Sequence, residues 1–400
     1  MLQFLARVFP DMGPWDLDRL TLAALYYSPE LDIVRARIQA AEGAIVTAAT
    51  EPNPKISFGL GFPSLISLSL QMPADTATLR GLRKVRAEFL SQATRYEFYE
   101  AVWSLRSRLR VALLLLYQLE QVQVLDTDEA ILREALHLWA GERFQTGEFS
   151  RPELDAYQLG LTRARTNQAL TNSRQREAAG AVSQLIGVPL DAFCSLPLNL
   201  AAFQNNPDLP SLNELHLRGV TFRPDLQQAL TDYRAALADI QLEGEKADPI
   251  FQLGPGYQLD QGVNKFSLGF SVPLPINDWN EGPLAERVAR AKEIAARFDL
   301  LQDRALVQVD QAASAFEAAA VAQSKSDFLA ALSREQELRS ARLVGAGEAD
   351  RSQFLLTRLE TVLALRSQLD AQIALQRQLG LLEDALHQPL QGRFREDLAP

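Results

Sequence analysis

The sequence runs through one plan twice. LNELHLRGVTFRPDL at 212–226 answers LDRLTLAALYYSPEL at 17–31. Leu17, Leu20, Leu22, Pro29 and Leu31 match Leu212, Leu215, Leu217, Pro224 and Leu226, a constant offset of 195. The offset carries on through Pro54, Gly59, Gly61 and Phe62, matched by Pro249, Gly254, Gly256 and Tyr257. Beyond that point it becomes 200 and holds from Ser67 and Ser267 to Pro189–Leu190 and Pro389–Leu390. It takes in Gly147–Glu148 with Gly347–Glu348 and Gly180 with Gly380. A single five-residue insertion, expected in a turn, accounts for the change. An internal duplication of about 200 residues follows, and any fold must be built from two such units.

Each half reads as helix, strand, strand, long helix, tip, helix. In the first, Ser28 suits an N-cap and Pro29 the first helical position of a helix that Pro52 and Pro54 stop. Ile56, Phe58, Leu60 and Phe62 then alternate with Ser57, Gly59 and Gly61, and Ile66, Leu68, Leu70 and Met72 with Ser67, Ser69 and Gln71. The second half has the same pattern at 249–273, with Phe266, Leu268 and Phe270 set against Ser267, Gly269 and Ser271. A period of two puts large apolar side chains on one face and small polar ones on the other. A sandwich strand and a membrane-barrel strand share that pattern. Leu82 to Ala140 and Leu284 to Val344 contain neither glycine nor proline. The first run, wholly helical, would span roughly 90 Å. The expected divisions are an N-terminal segment 1–16, a first repeat 17–190 with hairpin 54–73, a connector 191–210, a second repeat 211–390 with hairpin 249–273, and a tail 391–400.

Two hairpins supply four strands, too few to close a barrel around a lumen. In a membrane, several copies would have to pool strands, because open sheet edges are not tolerated in lipid. A net charge of −10 argues against nucleic-acid binding. No run of about 20 apolar residues is present, so no transmembrane helix is expected. One cysteine, Cys194, excludes an internal disulfide framework. MLQFLARVFPDMG lacks the apolar core and cleavage site of a secretory signal. The expectation is a cytoplasmic protein or a chain that begins after its targeting segment.

From residue 17 to 390 the chain resembles the TolC-like outer membrane efflux family. The likeness rests on the duplicated plan, the S-P-E-L and R-P-D-L helix starts, and the Asn53–Pro54 and Asp248–Pro249 strand starts. VPLPINDWNEG at 272–282 looks like the family's strand-to-helix junction, most like the heavy-metal cation efflux branch. RFQTGEFSRPELDA and RLVGAGEADRSQFLL look like its periplasmic helical tips. The resemblance implies a mainly α fold with a small β part, in which duplicated long-helix hairpins form an α-barrel. It implies a homotrimer, in which four strands per chain make a 12-stranded transmembrane β-barrel in outer membrane lipid with a periplasmic extension. It implies passive export driven by an inner-membrane efflux pump through a periplasmic adaptor (membrane fusion) protein, with no enzyme activity and no cofactor. The alternative is a soluble helical scaffold whose hairpins form small sheets packed on a bundle.

By that resemblance the adaptor-contact tips are Phe144, Gly147, Glu148 and Arg151, with Val344, Gly347, Glu348 and Arg351. The other reading is that Gly147 and Gly347 only allow tight turns. Glu148, Glu153, Glu348 and Asp350 are placed either to ring a tunnel mouth or to complement a helix N-terminus. Gln353 and Leu356 stand where some family members carry gate aspartates. Trp279 suits a membrane interface or a packing role. RGLRKVRAEF at 80–89 reads as a solvated helix face or a headgroup-side cluster. His137, His216 and His387 are scattered among three methionines and one cysteine, so no metal, catalytic or nucleotide site is expected.

Overall fold

A computed structural model describes residues 14–62, 65–73, 75–246, 251–272 and 279–390. The Pro63–Ser64 turn, Asp248–Pro249, most of the 272–282 junction, the first thirteen residues and the 391–400 tail lie outside the described residues. The elements run α1 (Leu17–Tyr27), α2 (Pro29–Ala49), β1 (Lys55–Gly61), β2 (Leu65–Pro73), α3 (Ala77–Gln145) and α4 (Arg151–Ile186). After the short α5 (Leu190–Cys194) and a 3-10 turn at Ala201–Gln204 come α6 (Leu212–Thr221), α7 (Pro224–Glu245), β3 (Gln252–Asp260), β4 (Val263–Ser271), α8 (Glu281–Gly345) and α9 (Arg351–Leu386). The fold is mainly helical with a small sheet, as the sequence indicates. No helix among the described residues is long and apolar enough to cross a membrane.

Contacts gather the chain into two compact units that cut across the sequence halves. One draws on Met1–Pro29, Val102–Phe222 and Ala305–Pro400. Its core joins Leu215 of α6, Val309 and Ala313 of α8, and Leu382 and Leu386 of α9. Further along, Leu132 and Leu136 of α3 pack on Leu355, Leu359 and Val362 of α9. These apolar positions recur at three or four residues, the spacing that keeps one helix face turned inward. Two arginines are buried here as well. Arg110 donates to the Gln376 carbonyl at 2.8 Å and to Gln376 Oε1 at 3.1 Å, and its Nε lies 3.3 Å from Glu383. Its guanidinium also sits over the Phe203 ring. Burial keeps the Glu383 carboxyl above its ordinary range despite Arg110 and Arg106.

The other unit draws on Glu30–Ala101 and Arg223–Arg304. It contains all four strands, in one antiparallel sheet of order β1-β2-β3-β4. Charge pairs set its helices in order: Arg95 of α3 meets Glu42 of α2 at 3.1 Å, Arg86 of α3 meets Asp239 of α7 at 2.5 Å, and Arg287 of α8 meets Glu243 of α7 at 3.5 Å. The basic run at 80–89 is neutralised within this unit. Arg80 pairs with Glu51, Arg83 with Asp75 at 2.5 Å, Lys84 with Glu88 at 3.5 Å, and Arg86 with Asp239.

The second hairpin turns through Gln261 and Gly262, both at positive φ (48° and 83°). That is the two-residue turn whose twist matches a β-hairpin. The five extra residues therefore extend the strands and leave the turn short. Gly59 faces Ser67 in the first hairpin, whereas Gly256 faces Ser267 in the second, so the pairing has moved by two. An even shift leaves every side chain on its original face.

Candidate functional site

Directly paired residues of an antiparallel sheet point to the same side. One row crosses Phe58, Leu68, Tyr257 and Phe266; another crosses Leu60, Ile66 and Leu259 and ends on Asn264 beside the turn; a third crosses Met72, Leu253 and Phe270. The four strands thus present one continuous apolar face. The opposite face carries Ser57, Ser69, Gly256 and Ser267 in one row, and Gly59, Ser67, Gln258 and Lys265 in the next. Charge is confined to the ends. Lys265 meets Asp260 at 2.9 Å and the Tyr257 hydroxyl donates to Asn264 at 2.6 Å, both near the second hairpin's turn.

Among the described residues nothing covers this sheet. Phe58 is 64%, Leu268 71% and Phe266 84% exposed, and all nine residues of β4 are exposed on both faces. A scaffold sheet packed on a bundle would hide that apolar face. Among the described residues β1 and β4 are paired on one side only, so two rows of backbone groups also lack strand partners there. Folded monomers rarely leave an apolar surface of this extent bare.

Below the second hairpin, Asn280 stands at φ 63° and its amide donates to the Glu243 carbonyl at 2.7 Å and to Glu243 Oε1 at 3.1 Å. Burial pushes the Glu243 carboxyl up, but Asn280, Lys246 and Arg287 outweigh it and leave the carboxyl below its ordinary value. Trp279, just before it in the chain, is 64% exposed.

In the other unit the two tips share one backbone device. Gly147 and Gly347 both stand at φ 78°. Gly147 N–H donates to the Phe144 carbonyl and Glu148 N–H to that of Arg143; Gly347 and Glu348 repeat this with Val344 and Leu343. This is the Schellman closure, which satisfies the last helical carbonyls and needs a left-handed residue. Arg351, like Arg151, opens the returning helix.

The side chains are less symmetric. Glu148 is bound by Arg143, whose guanidinium is pushed up by that hydrogen bond and lies over Trp139. Glu153 accepts from the Ser150 amide and hydroxyl, both at 2.6 Å, which lowers its pKa. Asp350 accepts from the Ser352 hydroxyl at 2.7 Å and is likewise lowered. Arg151 pairs with Asp155 at 3.0 Å. Among the described residues Glu348 has no ion pair. The tips are near enough for Asp350 to act on Arg143. The sequence reading overlooked a brace under the first tip: Trp139, Phe149 and Tyr157, with the last two rings stacked 6.2 Å apart. Its one signal was three aromatic residues flanking the turn, and Arg339, Ala349 and Thr357 stand at the matching places in the second half.

No protein-family profile and no curated protein matches the sequence. Solved structures do match. A membrane protein from Pseudomonas aeruginosa is 20% identical, with a TM-score of 0.76 over 95% of this chain and 92% of that one. The open-state MtrE outer membrane channel of Neisseria gonorrhoeae is 18% identical, with a TM-score of 0.75 over 94% and 89%. The outer membrane protein VceC of Vibrio cholerae is 17% identical, with a TM-score of 0.73 over 94% and 97%. The chain has the fold of outer membrane channels.

Proposed function

We propose that this chain is one subunit of a TolC-like export duct of the outer membrane. The uncovered four-stranded sheet carries this reading. Its apolar face matches hydrocarbon, its Gly/Ser face a watery lumen, and its two bare edges require neighbours. Three copies would pool twelve strands into a closed barrel, placing Trp279 at the membrane boundary. The likeness to outer membrane channels supports the same assignment.

Transport in this reading is passive, for small molecules or cations, with the work done by an inner-membrane pump. Phe144, Gly147, Glu148 and Arg151, with Val344, Gly347, Glu348 and Arg351, form the surface offered to a periplasmic adaptor. Most of these residues are exposed, and the backbone closure holds them in fixed positions. Glu348 is the tip carboxylate best placed to face a tunnel mouth, because Glu148, Glu153 and Asp350 are already engaged. The cation branch rests on the resemblance of segment 272–282, most of which lies outside the described residues.

Cell fractionation and sedimentation test the proposal. The expected result is a detergent-extracted trimer from outer membranes that conducts ions in planar bilayers. Placing aspartates at Phe58 and Phe266 should abolish membrane recovery. A soluble, monomeric wild-type protein would overturn the reading.

A further inference from the structure

The unit that holds the sheet also contains an open groove of about 620 Å³ between α3, α7 and α8. One stripe of α8 lines it at spacings of three and four: Arg287, Arg290, Ile294, Arg297, Leu301 and Arg304. Such a seam between packed helices is normally apolar. Here four of its six positions are arginine. Across the groove, Arg86 of α3 is held by Asp239 at 2.5 Å. Arg287 reaches Glu243 at 3.5 Å, and Arg297 is paired with its own neighbour Glu293 at 2.5 Å. Arg290 has no carboxylate or hydrogen-bond partner among the described residues.

Register places Arg290 beside the Arg86–Asp239 pair. Glu243 and Arg287 are in contact on antiparallel neighbours, so one turn further along each helix brings Asp239 level with Arg290. The groove mouth at that level holds two guanidiniums and one carboxylate. The next turn is more apolar: Ile294 and Leu90 line the walls, over Ala235 and Ala236, which are buried, and the lining carboxylate one turn beyond, Asp232, is pushed up towards its neutral form by burial. A positive mouth leading onto an aliphatic floor suits a ligand with both properties.

We propose that this groove binds an amphiphilic anion, with its acidic head on Arg290 and its hydrocarbon part over Leu90, Ile294, Ala235 and Ala236. The site does not depend on the export reading, since all its residues belong to one unit of one chain. A membrane lipid and a transported acid share the chemistry.

The full-length protein in neutral detergent should bind dihexanoyl phosphatidic acid saturably, read by isothermal calorimetry. Arg290→Gln should weaken binding about tenfold or more, the loss of one charge-assisted contact. Arg304→Gln should leave it unchanged within about twofold, because that residue lies about 21 Å further along α8. Decanoate separates the two sources: its binding assigns the site to acidic amphiphiles in general, and its failure to a phosphate head as in lipids. Equal loss in the two variants, no loss in Arg290→Gln, or inorganic phosphate binding as tightly as the lipid would overturn the proposal. Thermal unfolding of each variant shows whether it is folded, and a folded protein without saturable binding refutes the site directly.

Discussion

Gly180 and Gly380 stand 200 residues apart on α4 and α9 and look interchangeable in the sequence. Replacing each by alanine should have opposite effects. A Cβ on Gly180 meets nothing within 4 Å, whereas one on Gly380 would lie 2.4 Å from Arg110 Nη1 and 3.3 Å from its Cζ. Arg110 has little freedom to retreat, being held by the Gln376 carbonyl and side chain, by Glu383 and by the Phe203 ring. In a helix interior, Gly→Ala is worth about 1 kcal/mol of stabilisation. Displacing Arg110 breaks a buried ion pair, and breaking such a pair costs about 3–5 kcal/mol. Gly380→Ala should therefore lose a net of about 2–4 kcal/mol, while Gly180→Ala gains about 1. An unfolding entropy of about 2.1 cal/mol/K per residue turns these into a Tm drop of about 2–5 °C and a rise of about 1 °C. Circular dichroism melts of the two variants and the parent, at one protein concentration and scan rate, make the comparison. A Tm for Gly380→Ala at or above the parent's would refute the claim that Arg110 is pinned.

Two further outcomes concern the tips. Gly147→Ala and Gly347→Ala meet no steric neighbour, so each should cost only the backbone penalty of a left-handed alanine, about 1–2 kcal/mol, seen as faster amide exchange at Glu148 and Glu348 with little change elsewhere. Glu153 has its pKa lowered on folding, so its cap stabilises α4 above the ordinary carboxylate value of 4.5 and is lost as pH falls through the lowered one. Amide exchange in the first turn of α4 should then accelerate in acid for the parent but show no such step in Glu153→Ala.

The strands and long helices were legible because their signals are local. Period-two alternation marks β1 to β4, and the near absence of breakers marks α3 and α8. Even so, α3 continues over Gly81 and Gly141, since packing along a long helix outweighs about 1 kcal/mol per glycine. The five-residue insertion, expected in a turn, instead lengthens the strands, because Gln261–Gly262 already makes the tightest hairpin connection. Partners far apart in sequence stayed hidden. Nothing local tells that Arg86 meets Asp239, or that β2 pairs with β3 to fuse two hairpins into one sheet. The tip carboxylates were found by position, but their partners were not: Glu148, Glu153 and Asp350 are engaged, and Glu348 has no ion pair among the described residues.

Within the sheet-bearing unit, the ion pairs order the helices α2, α3, α7, α8, and the strands follow in the same sense as β1, β2, β3, β4. α2 leads into the strand at one sheet edge, and the chain leaving the opposite edge strand continues into α8. The open edges of both layers therefore belong to the same ends of the chain segments. On the export reading, a neighbouring copy that pairs its β4 with this β1 must bring its α8 towards this α2 in the same step. Ile33 and Val46 of α2 are 59% and 68% exposed, and Leu284, Ala285 and Val288 of α8 line an open apolar hollow. Sheet closure and helix closure are then one event. A substitution that blocks either edge should leave monomers in which neither layer has closed.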